Sequence, residues 1–246
     1  MLRLKNISKS FGNEVVLNDL CLEVNHGETL VIVGPSGAGK SVLLKIIMTL
    51  LDPDHGQIFL DDFNITNLNE AERMKITKRF GMLFQGAALF DSLTVKENVG
   101  FVLYQSQKTP NGRDVENIVR EKLALVGMEH VMDTLPSDLS GGMKKRVGLA
   151  RAIAHDPDII LYDEPTTGLD PIMANTINKL IIDLKNKLGV TSIVVTHDMH
   201  SAFMIADRIA LLHEGGIRVI GTCEEIKNSQ DPILKGFIQG ELIDHK

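Results

Sequence analysis

Disulfide frameworks and long apolar runs are both missing from the sequence. The two cysteines, Cys21 and Cys223, lie far apart and outside any CxxC pattern, so we predict two buried thiols in a reducing compartment. The most apolar stretch, residues 42–51, contains Lys45 and Thr49 and is shorter than the about 20 apolar residues that a spanning helix needs. The first residues show no long apolar core and no small-residue cleavage site. We therefore expect no signal peptide and no direct insertion into a membrane.

A basic excess is missing as well. The chain has 26 lysine and arginine residues against 32 aspartate and glutamate residues, which gives a net charge of −6. Dedicated nucleic-acid-binding proteins usually carry the opposite balance, so we expect no nucleic acid among the partners. No internal repeat or low-complexity tract occurs. The 246 residues allow one large domain or two modest ones, and they suffice for a core without disulfides or a structural metal.

Strand and helix patterns alternate along much of the chain. Residues 29–33, 159–162 and 192–196 are short, almost wholly apolar runs, which is typical of strands buried on both faces. A helical pattern at 40–51 follows the first run, and another at 172–188 lies between the last two. Strand–helix–strand units of this kind predict an α/β fold with a parallel sheet covered by helices.

The middle and the end of the chain follow other patterns. Residues 86–139 contain no convincing buried strand, but they include a helical pattern at 115–126 and a polar loop at 105–113. We interpret the region from about 86 to 150 as a mostly helical insertion into the α/β core. Residues 207–222 indicate two short strands around a Glu-Gly-Gly turn.

A glycine-rich loop is the strongest single signal. Residues 34–41 read Gly-Pro-Ser-Gly-Ala-Gly-Lys-Ser, a full match to GxxxxGK[ST] between an apolar strand and a helix. The glycines let backbone N–H groups point inward and form an anion cradle at a helix N-terminus. Lys40 is predicted to reach the β- and γ-phosphates of a nucleotide, and the Ser41 hydroxyl to ligate Mg²⁺. The candidate nucleotide contacts are Gly34, Pro35, Ser36, Gly37, Ala38, Gly39, Lys40, Ser41 and Val42.

Two carboxylates, Asp163 and Glu164, follow the apolar run 159–162. In phosphoryl-transfer enzymes with a phosphate loop, a carboxylate at the end of a buried strand holds the metal ion. We predict that Asp163 contacts Mg²⁺ directly or through water. Glu164 is predicted to polarise the attacking water as a general base.

A second candidate phosphate site begins at Ser140. Residues 139–143 read Leu-Ser-Gly-Gly-Met and precede a Lys-Lys-Arg run. Ser140 is a favourable helix N-cap, and Gly141 and Gly142 expose the backbone N–H groups of the first turn. This pattern predicts a second helix start that binds phosphate. We interpret the basic run, residues 144–146, as a solvated helix face rather than a nucleic-acid patch.

These motifs, in this order and at this spacing, make the sequence similar to the ATP-binding cassette (ABC) ATPase family over essentially its whole length. The resemblance implies a P-loop NTPase fold with a RecA-like core, an antiparallel β subdomain and a helical subdomain, in a single ABC ATPase domain spanning residues 1–246. It implies that Gln85 contacts Mg²⁺ and water, and that His197 contacts the γ-phosphate. It also implies that Phe11 stacks on adenine with Val16 nearby.

The resemblance further implies a homodimer that closes on two ATP molecules. Ser140, Gly141 and Gly142 would bind the γ-phosphate held by the phosphate loop of a second copy. Residues 167–170, which end at Asp170, match the family's D-loop at the dimer interface. The helical insertion after Gln85 matches the place where family members receive a helix of their membrane partner.

Three features resemble the ATPase subunits of bacterial Mla/MCE-type phospholipid transporters. These are Met143 in the Ser-Gly-Gly-Met motif, the segment 82–93 and the Gly-Phe-Ile-Gln-Gly ending at 236–240. The resemblance implies an integral-membrane permease, an MCE-type lipid-binding protein and a peripheral location on the cytoplasmic face of the inner membrane. A C-terminal tail reaches the partner ATPase in that group; six residues follow Gly240, so we expect no long clasp.

Two other interpretations stay open. An ATPase of an amino-acid or small-solute importer shares every catalytic motif, whereas an iron–sulfur assembly or cell-division ATPase would move no solute. A DNA-repair ATPase of the family would need long coiled-coil insertions, which the sequence lacks. The pair His197 and His200 has no third ligand in sequence, so we assign no metal to it.

Overall fold

The chain divides into two units. The first comprises Met1–Thr77 with Thr191–Lys246, and the second comprises Lys78–Val190. The computed structural model describes residues 1–105 and 114–240. Apart from its first residue, the polar loop predicted at 105–113 lies outside the described residues, as does the segment after Gly240.

The described residues form ten strands and nine α-helices. The strands are β1 (Leu2–Phe11), β2 (Glu14–Val24), β3 (Thr29–Val33), β4 (His55–Leu60), β5 (Phe63–Asn64), β6 (Phe80–Leu83), β7 (Ile159–Asp163), β8 (Thr191–Thr196), β9 (Arg208–His213) and β10 (Gly216–Thr222). The helices are α1 (Lys40–Ile47), α2 (Glu70–Thr77), α3 (Val95–Gln105), α4 (Val115–Leu125), α5 (Gly141–Ala152), α6 (Pro171–Leu188), α7 (Met199–Ile205), α8 (Cys223–Asn228) and α9 (Pro232–Gln239).

An antiparallel sheet in the first unit has the order β2-β1-β4-β5. Strand β1 pairs with β2 from Leu2 opposite Val24 to Phe11 opposite Glu14. Side chains on one face of these strands are buried and those on the other face are largely exposed, which is the usual pattern of a sheet that covers a core on one side. The hairpin between the two strands therefore places Phe11 at its tip.

The first unit also contains the parallel strands on which the phosphate loop is built. Strand β3 pairs in parallel with β8 on one side and with β9 on the other. Every residue of β3 and β8 is buried, as predicted for strands covered on both faces. The two short strands predicted within 207–222 are confirmed as β9 and β10, which pair antiparallel.

The first helix ends four residues before its predicted end. Helix α1 stops at Ile47, and Met48 is its C-cap. Thr49 has a left-handed backbone with φ of 57°, and its carbonyl oxygen accepts a hydrogen bond from the Arg73 guanidinium. Residues 48–51 continue the helical pattern of the sequence but lie beyond the end of the helix, and Leu50 is 53% exposed. The prediction of a helix over 40–51 is therefore wrong for its last turn.

The second unit combines two parallel strands with four helices. Strands β6 and β7 pair from Phe80 opposite Ile159 to Leu83 opposite Tyr162. Between residues 86 and 139, the described part of the chain contains α3, α4 and two short 3-10 turns but no strand. The predicted helix at 115–126 is confirmed with a C-terminus one residue earlier, and the helix after Ser140 ends at Ala152.

The prediction of two buried thiols is wrong. Cys21 is exposed and Cys223 is half-buried, and both are free. Cys21 occupies an outward position on β2, where strand alternation leaves every second side chain in solvent. None of the helices within residues 1–105 and 114–240 combines the length and the apolar character needed to span a bilayer.

Candidate functional site

The phosphate loop lies between β3 and α1 in the first unit, and two of its glycines are required by its shape. Gly39 has φ of 96°, and a Cβ atom added there would lie 3.0 Å from Val16 Cγ1. A Cβ atom added at Gly34 would lie 2.5 Å from the Leu212 carbonyl oxygen. Only glycine fits both positions without moving neighbouring atoms, because side chains rarely adopt that φ and a backbone oxygen cannot give way.

Lys40 is folded over this loop. Its side chain is buried, and its Nζ donates hydrogen bonds to the carbonyl oxygens of Gly34 at 2.8 Å and Pro35 at 3.0 Å. Ser36, Gly37 and Ser41 are exposed. The ammonium group of Lys40, close to the exposed residues of this glycine-rich loop, gives the loop a positive charge suited to phosphate oxygens.

Phe11 and Val16 lie on the antiparallel hairpin of the first unit. The Phe11 ring is 49% exposed, and Lys9 Nζ lies 5.7 Å from its centroid. Val16 packs against the position of Gly39, so β2 contacts the phosphate loop directly. An exposed aromatic ring such as that of Phe11 suits the stacking of a purine base.

His197 follows β8 and is exposed. The next residue, Asp198, is the N-cap of α7 and accepts hydrogen bonds from the backbone N–H groups of His200 and Ser201. Among the described residues, no group of three or more His, Cys, Asp or Glu side chains is placed to hold a metal ion by itself.

In the second unit, Gln85, Asp163 and Glu164 lie at the same end of two paired strands. Leu83, the last residue of β6, stands opposite Tyr162 of β7. Because the strands are parallel, Gln85 and the two carboxylates lie at the carboxyl ends of the two strands. Gln85 is exposed, Asp163 is half-buried and Glu164 is buried.

Glu164 is held at both its main chain and its side chain. Its backbone has φ of 47°, a left-handed conformation that non-glycine residues adopt uncommonly. The Thr167 hydroxyl donates a hydrogen bond to Glu164 Oε2 at 3.0 Å. Lys145 Nζ donates another to the Glu164 carbonyl oxygen, also at 3.0 Å. The carboxylate therefore has a defined direction.

The solvated face predicted for residues 144–146 is wrong at Lys145, which is 5% exposed. Burial lowers the pKa of Lys145 to about 8, against the opposing effect of the Asp163 and Glu164 charges. Helical periodicity could have found this residue, because Lys145 lies three residues after the buried Gly142 and four before the buried Leu149.

Ser140 caps α5 as predicted, and its Oγ accepts a hydrogen bond from the Met143 N–H at 3.3 Å. Gly141 is exposed, whereas Gly142 is buried against Met173 of α6. A Cβ atom added at Gly142 would lie 2.3 Å from Met173 Cε. Asp170 caps α6, and its Oδ1 accepts hydrogen bonds from Ile172 N–H and Met173 N–H at 3.0 Å each.

The loop after Gln85 is fixed by a side chain that sequence reasoning missed. Ala87 and Ala88 both have positive φ, 60° and 49°. The Arg151 guanidinium donates hydrogen bonds to the Ala87 carbonyl oxygen at 2.5 Å and to the Ala88 carbonyl oxygen at 2.6 Å. Two successive strained residues are thus held from α5, which also begins at Ser140.

Asn98 fixes the next part of the same segment. It is fully buried, and its Nδ2 donates to the carbonyl oxygens of Phe90, Leu93 and Thr94 at 2.9–3.1 Å. Its Oδ1 accepts a hydrogen bond from the Phe90 N–H at 2.8 Å. The sequence carries no signal for this role, since an asparagine within a helical pattern is not unusual.

We predict that Asn98→Ala lowers the free energy of unfolding by about 3 kcal/mol, because the buried Asn98 amide is removed and the backbone groups of Phe90, Leu93 and Thr94 lose their partner at once. Chemical denaturation measures the change. Asn117→Ala, at an exposed position of α4, is the control and is expected to change stability by about 0.5 kcal/mol or less. Equal stabilities of the two variants would contradict this role of Asn98.

The chain is similar to several known proteins. The family model described as "ABC transporter" matches residues 17–167. The intermembrane phospholipid transport system ATP-binding protein MlaF of Haemophilus influenzae is 40% identical, over 98% of this chain and 91% of that protein. The protein named "Probable ribonucleotide transport ATP-binding protein mkl" of Mycobacterium leprae is 38% identical over 98% of this chain and 70% of that protein. The ATP-binding cassette MJ0796, solved as a dimer in a post-hydrolysis state with ADP and Pi, matches with a TM-score of 0.82 and 34% identity, over 91% of this chain and 99% of that one.

Proposed function

The chain belongs to the ABC transporter family, and from this premise we propose that it is the ATPase subunit of a transporter that moves phospholipid between membranes. Its fold is that of an ABC ATPase, as predicted, and it is an ATPase of that family. We further propose that residues 1–246 form one ABC ATPase domain, with the helical subdomain at about 86–150.

We propose roles for the nucleotide-site residues of each unit by itself. In the first unit, residues 34–42 with the buried Lys40 hold the phosphates, and Phe11 stacks on the base with Val16 beside the loop. In the second unit, Glu164 is the general base. Its support is the defined direction of its carboxylate, held through Thr167 and Lys145.

The proposed Mg²⁺ ligands fit the ion chemically. Ser41, Gln85 and Asp163 offer a hydroxyl, an amide carbonyl and a carboxylate, which are the oxygen donors that Mg²⁺ prefers, and it usually keeps waters and substrate oxygens as further ligands. When bound, the ion neutralises charge on the phosphate oxygens. His197 is proposed to contact the γ-phosphate.

We propose that two copies close on two ATP molecules. The exposed, capped start of α5 would meet the γ-phosphate held by the partner copy through Ser140 and Gly141, with Gly142 giving the helix its close approach to α6. Asp170 would lie at the same interface while capping α6. The solved dimer of MJ0796 supports this arrangement.

The membrane partner is proposed to dock on the second unit. Four large apolar side chains between residues 84 and 104 of this unit are exposed: Phe84, Phe90, Val102 and Tyr104. Exposed apolar side chains grouped in one part of a protein are typical of a surface that binds another protein. A permease helix would place the subunit peripherally on the cytoplasmic face of the inner membrane.

Phospholipid is proposed as the transported substrate because MlaF of Haemophilus influenzae, named as a phospholipid transport ATPase, matches nearly the whole chain. Ribonucleotide is the alternative substrate, because the name of the mkl protein gives ribonucleotide transport. An MCE-type lipid-binding protein would be the third component of a phospholipid system.

The test is purification of the tagged chain from detergent extracts of its own cells. A copurifying permease with an MCE-type protein, and phospholipid in the complex by mass spectrometry, is the expected result. Val102→Asp should lower the yield of permease about tenfold, because it buries a charge in the interface. Phe63→Asp, at a 73% exposed position of the first unit, is the matched control. Soluble scaffold proteins without a permease would contradict transport.

A further inference from the structure

We propose that Lys145 is a positioning residue for the general base, which holds the main chain of Glu164 and thereby sets the direction of the Glu164 carboxylate. The inference rests on the proposed function, in which Glu164 polarises the attacking water. Lys145 does not itself touch the reacting atoms in this proposal.

The contact that carries the inference is short and buried. Lys145 Nζ lies 3.0 Å from the Glu164 carbonyl oxygen, in a position where both residues are nearly inaccessible to solvent. The Glu164 backbone has φ of 47°, a conformation that persists only where its surroundings hold it, because it costs of order 1–3 kcal/mol. Lys145 holds the main chain and the Thr167 hydroxyl holds the side chain. Without the first contact, the peptide is free to relax and carry the carboxylate with it.

A buried lysine at this position carries a cost that an uncharged side chain would not. Burial lowers the pKa of Lys145 to about 8, so the charged form is kept there at a cost. An apolar side chain of similar length would avoid desolvating a charge, but it would leave the Glu164 carbonyl oxygen without this donor. A directed donor at the base is what the lysine adds.

The position of Lys145 also links two parts of the proposed site within one chain. Lys145 lies on α5, and the start of that helix at Ser140 is the proposed contact for the ATP of the second copy. Any displacement of α5 therefore reaches the Glu164 main chain through one hydrogen bond.

The test compares kcat with ATP affinity. Lys145→Met is expected to lower kcat by about 10–100-fold, since displacement of a catalytic group by about 1 Å costs up to about 10²-fold. The Kd of ATP, titrated without turnover, should stay within about twofold, because Lys145 contacts no phosphate in the proposed site. Lys145→Arg keeps a charged donor and should recover part of kcat. Lys144→Met removes the same charge from the neighbouring, half-exposed position and is expected to retain kcat.

A double variant shows whether Lys145 acts through Glu164. In the Glu164→Gln chain, Lys145→Met should lower the residual hydrolysis rate by less than about threefold, because residues that act as a unit are not additive. The same fold loss in both backgrounds overturns the inference, and so does a Lys145→Met chain with wild-type kcat. If Lys145→Met does not fold by circular dichroism, Lys145→Gln takes its place under the same criteria. A wild-type chain without ATPase activity would instead contradict the proposed function.

Discussion

Replacement of Glu164 by glutamine is expected to lower the kcat of ATP hydrolysis by about 10²–10⁴-fold, the contribution typical of a positioned general base. Glutamine has the same shape, and its side-chain oxygen can still accept a hydrogen bond from the Thr167 hydroxyl. Its main-chain carbonyl oxygen can still accept one from Lys145 Nζ. It cannot take a proton from water. ATP binding should therefore persist while turnover stops, and steady-state phosphate release with an ATP titration measures the two separately.

The same variant tests the proposed dimer. If hydrolysis releases two chains that ATP holds together, Glu164→Gln should remain dimeric in ATP on gel filtration, whereas the wild-type chain returns to monomer as ATP is consumed. Glu224→Gln, at an exposed position in the first turn of α8, removes the same charge and should leave both behaviours unchanged. Wild-type hydrolysis by Glu164→Gln would assign the base to another residue and leave Glu164 a structural role.

Local sequence patterns predicted the elements on which the site is built. Strand β3 is almost wholly apolar and is followed by the glycine-rich loop, so its burial and the helix after it could be predicted from periodicity and from the motif. The N-cap at Ser140 is equally local, because a capping side chain binds N–H groups two or three residues away. The two strands joined by the turn at Glu214 could also be predicted, because strand and turn patterns are local as well.

Contacts between distant residues could not be predicted in this way. Lys145 and Glu164 are 19 positions apart, and Arg151 lies 63 positions from Ala88. Helical periodicity can indicate that a basic side chain such as Lys145 is buried, but not which carbonyl oxygen it contacts. The end of α1 was predicted wrongly for a related reason. Residues 48–51 continue the helical pattern of the sequence, whereas the chain turns at Thr49. The exposure of Cys21 could not be predicted either, because it depends on which face of β2 packs against the core.

The second large effect is expected at Lys40. Lys40→Ala should weaken ATP binding by about 10–150-fold, because a hydrogen bond to a charged group contributes about 1.5–3 kcal/mol. The side chain is buried and crosses the loop to the Gly34 and Pro35 carbonyl oxygens, so no other part of α1 replaces it. Lys45→Ala removes the same charge from an exposed position of the same helix and should bind ATP as the wild-type chain does.

The choice of nucleotide separates a phosphate contact from a general loss of structure at Lys40. If the ammonium group binds the β- and γ-phosphates, Lys40→Ala should lose more affinity for ATP than for ADP, because ADP lacks one of the two groups that the lysine contacts. A loop that has collapsed would lose affinity for both nucleotides equally, and its thermal transition without nucleotide would fall. Unchanged ATP affinity in Lys40→Ala would contradict the phosphate role altogether. The Gly34 and Pro35 contacts would then make the lysine a brace of the loop, and the charge that attracts phosphate would have to come from the helix start alone.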